Sequence, residues 1–357
     1  MVVEKKVVSG VTDDTHIVRY DHMITPDELR SKFPPNASLQ SFIYDSRNAI
    51  KAIMDGKDSR KLMIVGPCSI HNVDEALEYA QKLKNLSDKV SDRFLLVMRC
   101  YFEKPRTTVG WKGLLNDPDI NDSFDMQKGL FLARKLLFEV NTLGIPCATE
   151  FLDPFTPQYI GDLVSWAAIG ARTTESQTHR QMVSGLSMPV GFKNATSGDV
   201  SVAINAILSA KSPHSFLGIT NSGFISKIKT KGNNHVHLVL RGGDNKVNYD
   251  VVSVNEAQSL LRLKKVSDAV LIDCSHANSN KDYTKQSIVL EKGFEQIVAG
   301  NASIIGFMLE SNLMEGNQSV SDSLQKGVSI TDACIGWEET ESLLLYYYDL
   351  LEKHSVD

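Results

Sequence analysis

A chain of 357 residues with a formal net charge of −5 and a pI near 6.0 argues against nucleic acid as its main partner. No apolar run is long enough to cross a bilayer and residues 1–10 hold no signal-peptide core. Five cysteines without CxxC spacing argue against a disulfide framework and for a reducing cytoplasm. The length suits about two domains, or one α/β barrel of about 250 residues with additions.

Residues 1–38 read as an arm. Ile17–Tyr20 predicts a short strand, Thr25-Pro26-Asp27-Glu28 a capped helix start, and Pro34-Pro35 closes the arm. A helix over 39–54 stops at Gly56. From Lys61 apolar strands and amphipathic helices alternate. Strands are expected at Leu62–Val65, Phe94–Met98, Ile145–Glu150, Trp166–Gly170, Met188–Phe192 and Phe216–Thr220. The helix from Val73 sets Val73, Ala76, Leu77, Ala80 and Leu83 on one face. The rhythm then breaks. Phe224–Ile228 and His235–Leu240, around the turn Lys231-Gly232-Asn233-Asn234, read as an inserted hairpin within about 222–243. Strands seven and eight follow at Ala269–Ile272 and Ser303–Leu309, and a last helix starts near Trp337. Eight such units make a (β/α)8 TIM barrel the best reading, with an N-terminal arm and helix at 1–60, a catalytic barrel at 61–357, and a β-hairpin inserted after strand six. A doubly wound open sheet is second; GxGxxG and GxxxxGK[ST] are both absent, which weakens its nucleotide-binding versions.

Barrel active sites form at the C-terminal strand ends. Here each strand is apolar and then turns polar, at Cys68, Arg99, Glu150, Arg172, Lys193, Asp273 with His276, and Glu310. The densest stretch is Arg99 to Gly113, where cations, Thr107-Thr108, Pro105 and Trp111 interleave. A packed core does not want that charge at a strand end; a site for multiply charged anions does. Arg99, Lys104, Arg106, Arg172, Lys193 and Arg241 are too many cations for one phosphate, so either two anions bind or one substrate carries both phosphate and carboxylate. Cys68, His276, Glu310 and Asp332 mix a soft thiolate, an imidazole and hard carboxylates, a set suited to Mn, Fe, Co or Zn without choosing one. Taken singly, each has an ordinary reading as a small core cysteine or a satisfied loop residue. His71 and His179 read as structural hydrogen-bonding residues.

Together the motifs identify a resemblance. Gly66-Pro67-Cys68-Ser69-Ile70-His71, the Lys104–Gly113 loop, Ala168–Gln177, Gly191-Phe192-Lys193-Asn194, Leu240-Arg241-Gly242-Gly243, Asp273-Cys274-Ser275-His276, Glu310-Ser311-Asn312 and Ile330–Trp337 resemble the type I 3-deoxy-D-arabino-heptulosonate 7-phosphate (DAHP) synthases of the shikimate pathway. Ala195 and Ala277 depart from a usual glycine without removing a ligand. The resemblance implies a transferase that condenses phosphoenolpyruvate with erythrose 4-phosphate, using a divalent metal held by Cys68, His276, Glu310 and Asp332. It implies Arg99, Lys104 and Lys193 on the phosphoenolpyruvate carboxylate side, and Arg172, Arg241 and the Ala171 backbone on its phosphate. Arg106 and Thr107 would take the erythrose 4-phosphate phosphate. Lys104, Glu150 and His276 are the expected catalytic residues, Glu150 positioning the water that attacks C2. Competing readings are a related condensation with another sugar phosphate and an amino-acid sensor without catalysis.

The resemblance also implies feedback inhibition by an aromatic amino acid, in a homodimer or dimer of dimers. The matching positions are Asp13 and Asp14 on a neighbouring subunit's arm, with Pro157, Gln158, Met182, Leu186, Ser187, Phe216, Gly218 and Ile228. Glycine in a strand interior marks close approach by another group. In the resembling family the position of Gly218 tends to be Ser in phenylalanine-sensitive forms and Gly in tyrosine-sensitive ones, which favours tyrosine as effector, with phenylalanine the alternative.

Overall fold

The computed structural model describes residues 12–106, 108–244, 246–321 and 323–354. The elements in chain order are α1 (Pro26–Lys32), α2 (Ala37–Met54), β1 (Lys61–Gly66), α3 (Val73–Val90), β2 (Phe94–Arg99), α4 (Met126–Thr142), β3 (Cys147–Glu150), α5 (Thr156–Ile160), β4 (Trp166–Ile169) and α6 (Gln177–Val183). Then come β5 (Val190–Lys193), α7 (Val200–Lys211), β6 (Ser215–Ile219), β7 (Ile225–Lys229), β8 (Val236–Leu240), α8 (Val251–Leu263), β9 (Val270–Asp273), α9 (Gln286–Val298), β10 (Ile304–Glu310) and α10 (Trp337–His354).

Eight parallel strands close a barrel in the order β1-β10-β9-β8-β5-β4-β3-β2, sealed where β1 pairs with β10. The strands read as apolar runs because parallel strands covered by helices are buried on both faces. Inside the barrel Leu62, Ile64, Val97, Ala148, Trp166, Ala168, Val239, Leu271 and Met308 form one cluster, and α2 adds Ile50, Ile53 and Met54 to it. A second, larger cluster packs helices against the outer strand faces. No helix among the described residues is long and apolar enough to cross a membrane.

The barrel and its hairpin are both present, but the strands divide differently from the expectation. The sixth barrel strand is β8, at Val236–Leu240, paired in parallel with β5 and β9. The hairpin is β6 with β7, an antiparallel pair placed before that strand. The cause is His237, which interrupts the apolar run of β8 yet lies wholly inside the barrel. Its Nε2 accepts the indole N–H of Trp166 at 2.9 Å, and its Nδ1 lies 3.0 Å from the Leu238 carbonyl. β6, with its apolar Phe-Leu-Gly-Ile, is half exposed along its length.

The arm is anchored by α1. Thr25 and Glu28 form a reciprocal capping box. The Asp27 amide then donates to Asn221 O in the hairpin turn at 2.8 Å, and Ser222 Oγ donates to Asp27 at 3.1 Å. Residues 17–20 form no strand; Arg19 makes only an isolated bridge.

Burial pushes the His237 imidazole down to about 4. Its stabilising contribution is therefore complete above the ordinary value near 6.5. It is lost as pH falls toward 4, because the unfolded chain takes up a proton that the folded one refuses. The pH range from 7 to 4.5 should cost wild type about 2–3 kcal/mol more than His237→Gln. Urea unfolding at both pH values measures this; equal losses would show that His237 is not the titrating group.

Candidate active site

All eight strands deliver their C-terminal ends to one mouth, where a cavity of about 300 Å³ opens. Lys104, Arg106, Glu150, Ala171, Arg172, Lys193, Arg241, His276 and Asp332 all line it. Thr107 lies outside the described residues; its neighbours Arg106 and Thr108 stand at the mouth. Arg106 and Arg172 are exposed, whereas Lys104 and Lys193 are buried, so the cations run from the rim to the floor.

Beside that cavity the donor atoms of Cys68, Glu310 and Asp332 lie within 4.8 Å of one another. Cys68 Sγ is 3.7 Å from Asp332 Oδ2 and 3.1 Å from Lys104 Nζ. His276 faces the same cavity but stands outside that group of three, held at φ +56°. Its Nδ1 is 3.0 Å from Asp273 Oδ2.

Arg99 does not line the cavity. It is fully buried, with Nη2 at 2.8 Å from Glu310 Oε1, Nε on the Pro67 carbonyl and the guanidinium carbon 3.5 Å from the centre of the Tyr101 ring. Ser275 Oγ donates to the other Glu310 oxygen at 2.8 Å. Burial alone would raise the Glu310 carboxyl; Arg99, His276 and Lys104 outweigh it and hold it down to about 2. Burial, then Glu310, pushes the Cys68 thiol up, against the pull of Lys104. Asp273 is fully buried too, yet His276, Lys193 and Arg99 hold its carboxyl well below the carboxylate range.

Glu150 ends β3 with Oε1 buried and without a hydrogen-bond partner. It lies close against Gly170: a Cβ there would force the carboxylate to shift from this position. Arg241 is placed by buried amides. Its N–H donates to Asn194 Oδ1 at 2.9 Å, Asn248 Nδ2 donates to the same oxygen, and Asn278 Oδ1 accepts the Asn248 N–H.

A model of the DAHP synthetase I family matches residues 36–345. The chain belongs to that family. It is 52% identical over 335 residues to the Tyr-sensitive phospho-2-dehydro-3-deoxyheptonate aldolase of Escherichia coli K12, covering 93% of this chain and 94% of that one. To the Phe-sensitive form of the same organism it is 49% identical over 334 residues, with coverages of 93% and 95%. A solved phospho-2-dehydro-3-deoxyheptonate aldolase from Francisella tularensis SCHU S4 superposes with a TM-score of 0.91 at 46% identity, over 93% of this chain and 97% of that one.

For this DAHP synthetase I chain the expected effector positions are only partly brought together. Pro157, Gln158, Leu186 and Ser187 line a second cavity of about 480 Å³, with Arg30, Tyr44, Arg47 and Asn221. Gln158 Oε1 is buried there without a partner. Met182 is buried on α6. Phe216, Gly218 and Ile228 sit on the hairpin, outside that lining, with Phe216 directly across from Ile228. Asp13 and Asp14 stay on the arm, Asp14 accepting the Tyr20 hydroxyl at 2.7 Å. His71 and His179 make local contacts, to Glu75 and to Ser176 and the Leu152 carbonyl. Sequence reasoning passed over Ser275, Lys281 and the Asn248 and Asn278 amides. Ser275 lay in a quoted motif, whereas Lys281, in a left-handed turn at the cavity edge, gives no periodic signal.

Removing one member of a buried ion pair strands the other. Arg99→Leu should therefore destabilise the fold by about 3–5 kcal/mol. Chemical denaturation checks this, and a loss under about 1 kcal/mol would show that the Arg99–Glu310 pair does not hold the fold.

Proposed function

We propose that this chain condenses phosphoenolpyruvate with D-erythrose 4-phosphate and water, giving DAHP and phosphate, the first step of the shikimate pathway. DAHP synthesis is the activity that goes with the family. The observation that carries the residue-level reading is a single cavity that gathers Lys104, Arg106, Arg172, Lys193 and Arg241 beside a Cys68-Glu310-Asp332 cluster. That cationic lining matches two phosphates and one carboxylate. Lys104 and Lys193, on the buried side, hold the phosphoenolpyruvate carboxylate, with Arg99 contributing its charge from beneath. Arg172, Arg241 and the Ala171 backbone hold the phosphate of phosphoenolpyruvate. Arg106, at the rim, takes the phosphate of the aldose, with Thr107 as the sequence resemblance implies. This order places the two reactants side by side for attack. Glu150, with an unpartnered buried oxygen, orients the water toward C2.

The donor set fits a borderline divalent ion: one sulfur and two carboxylates converge, and His276 faces the same space. Such an ion, Mn, Fe, Co or Zn, supplies Lewis-acid polarisation of the aldehyde when bound. The initial-rate assay with phosphoenolpyruvate, erythrose 4-phosphate and Mn²⁺ tests the reaction. EDTA treatment should abolish turnover until a divalent ion is restored, and Cys68→Ser should lose most activity, because a hydroxyl is a poor substitute for a thiolate. Full turnover of the EDTA-treated protein would overturn the metal site.

The arm and hairpin serve assembly and regulation in this reading. Val18, Tyr20, Leu217, Phe224 and Ile225 are exposed apolar residues on those two elements, which supports a homodimer or dimer of dimers. Its compartment is the reducing cytoplasm, in keeping with five buried, unpaired cysteines. Tyrosine is the effector. A Cβ on Gly218 would lie 2.9 Å from Ile228 Cγ1, so a side chain there displaces its cross-strand neighbourhood. Tyrosine should inhibit wild type more strongly than phenylalanine, and Gly218→Ser should shift the preference toward phenylalanine. Inhibition curves for both amino acids decide it; stronger inhibition of wild type by phenylalanine refutes the tyrosine assignment.

A further inference from the structure

We infer that Asp273 is a positioning residue that serves both halves of the site, presenting His276 to the metal and Lys193 to phosphoenolpyruvate; this rests on the reading of the cavity just given. Asp273 ends β9 and is fully buried. Its Oδ1 accepts the Ser275 amide at 3.0 Å, and its backbone carbonyl accepts Asn278 Nδ2 at 2.9 Å. The carboxylate is thereby fixed, leaving Oδ2 for functional groups. Two reach it: Lys193 Nζ at 2.9 Å and His276 Nδ1 at 3.0 Å. Neither Oδ2 nor Nδ1 has a well-aligned hydrogen bond, so the contact with the imidazole is electrostatic at this geometry.

The consequences are specific. An imidazole that turns Nδ1 to a carboxylate carries its proton there and leaves the Nε2 lone pair on the opposite edge, which suits a metal ligand. His276 lines the cavity, so that edge is available to it. Lys193, reaching from β5 past β8 to β9, is held at a fixed point of the cavity wall instead of sweeping it on a flexible stem. One carboxylate thus ties the placement of the proposed metal ligand to that of the proposed substrate cation.

Asp273→Asn preserves shape and removes the charge. Titration of metal-free protein with Co²⁺, followed by the thiolate-to-metal absorption band, should show about 10–100-fold weaker binding than wild type. KM for phosphoenolpyruvate should rise severalfold, while KM for erythrose 4-phosphate stays within about twofold of wild type, because Arg106 is untouched. Equal Co²⁺ affinity together with unchanged KM for phosphoenolpyruvate in the folded variant overturns the inference alone. No band in wild type removes the metal site and the inference with it. Should Asp273→Asn fail to fold, ¹⁵N-histidine spectra of Zn²⁺-loaded wild type decide the question, His276 being assigned by its loss in His276→Gln. A proton on His276 Nδ1 supports the assignment, and an unprotonated Nδ1 overturns it.

Discussion

The guanidinium of Arg99 sits in the dry interior just below the barrel mouth, and Glu310 balances its charge at 2.8 Å. Burying two such ions costs several kcal/mol each, which is recovered only with close geometry and satisfied hydrogen bonds. The chain provides both, through the Pro67 and Cys68 carbonyls on the arginine and Ser275 on the glutamate. The pair bridges a strand: Arg99 on β2 reaches over β1 to Glu310 on β10. Lys193 on β5 likewise reaches over β8 to Asp273 on β9. Barrel interiors are layered with side chains from alternate strands, and here the uppermost layer is ionic where those below are apolar. The charges that would repel one another in an open loop thereby become a rigid, nearly neutral floor beneath a cationic rim.

Much of this was legible in the sequence because polarity changes abruptly where each strand ends. Cys68, Arg99, Glu150, Lys193, Asp273 and Glu310 each follow or finish an apolar run, and a barrel has one place to put such residues. The misplaced hairpin shows where that reasoning stops. Period and hydropathy cannot tell a buried histidine paired with an indole from a histidine on a surface strand, so β8 was assigned to the hairpin and β6 to the barrel. The Asn194-Asn248-Asn278 network was invisible for a related reason, since amides signal turns in a sequence and reveal their partners only in three dimensions. Arg99 reads in the sequence as a cation on the carboxylate side of phosphoenolpyruvate; its pairing with Glu310 depends on a residue 211 positions away and could not be read there.

The second cavity places α5, the turn before β5 and the hairpin turn around one space, with the arm helix docked beside it. Pro157 and Gln158 belong to the element that follows β3, the strand that carries Glu150. In the loop after β2, Glu103, the neighbour of Lys104, accepts the amide of Asp153, which follows β3, at 3.0 Å. Burial raises its carboxyl to about 8 even against that bond. The segment from β3 to α5 therefore carries Glu150 on the first cavity and Pro157 and Gln158 on the second.

Closure of the barrel also sets the order in which the site comes into being. β1 finds its second neighbour only in β10, and Glu310 is the last residue of that strand. Until it has left the ribosome, Arg99 lacks the carboxylate that balances it and Cys68 lacks both carboxylates of its cluster. The nascent chain therefore lacks the complete cluster through most of its synthesis. The cluster is completed only after the final strand has shut the ring, when Asp332 follows it.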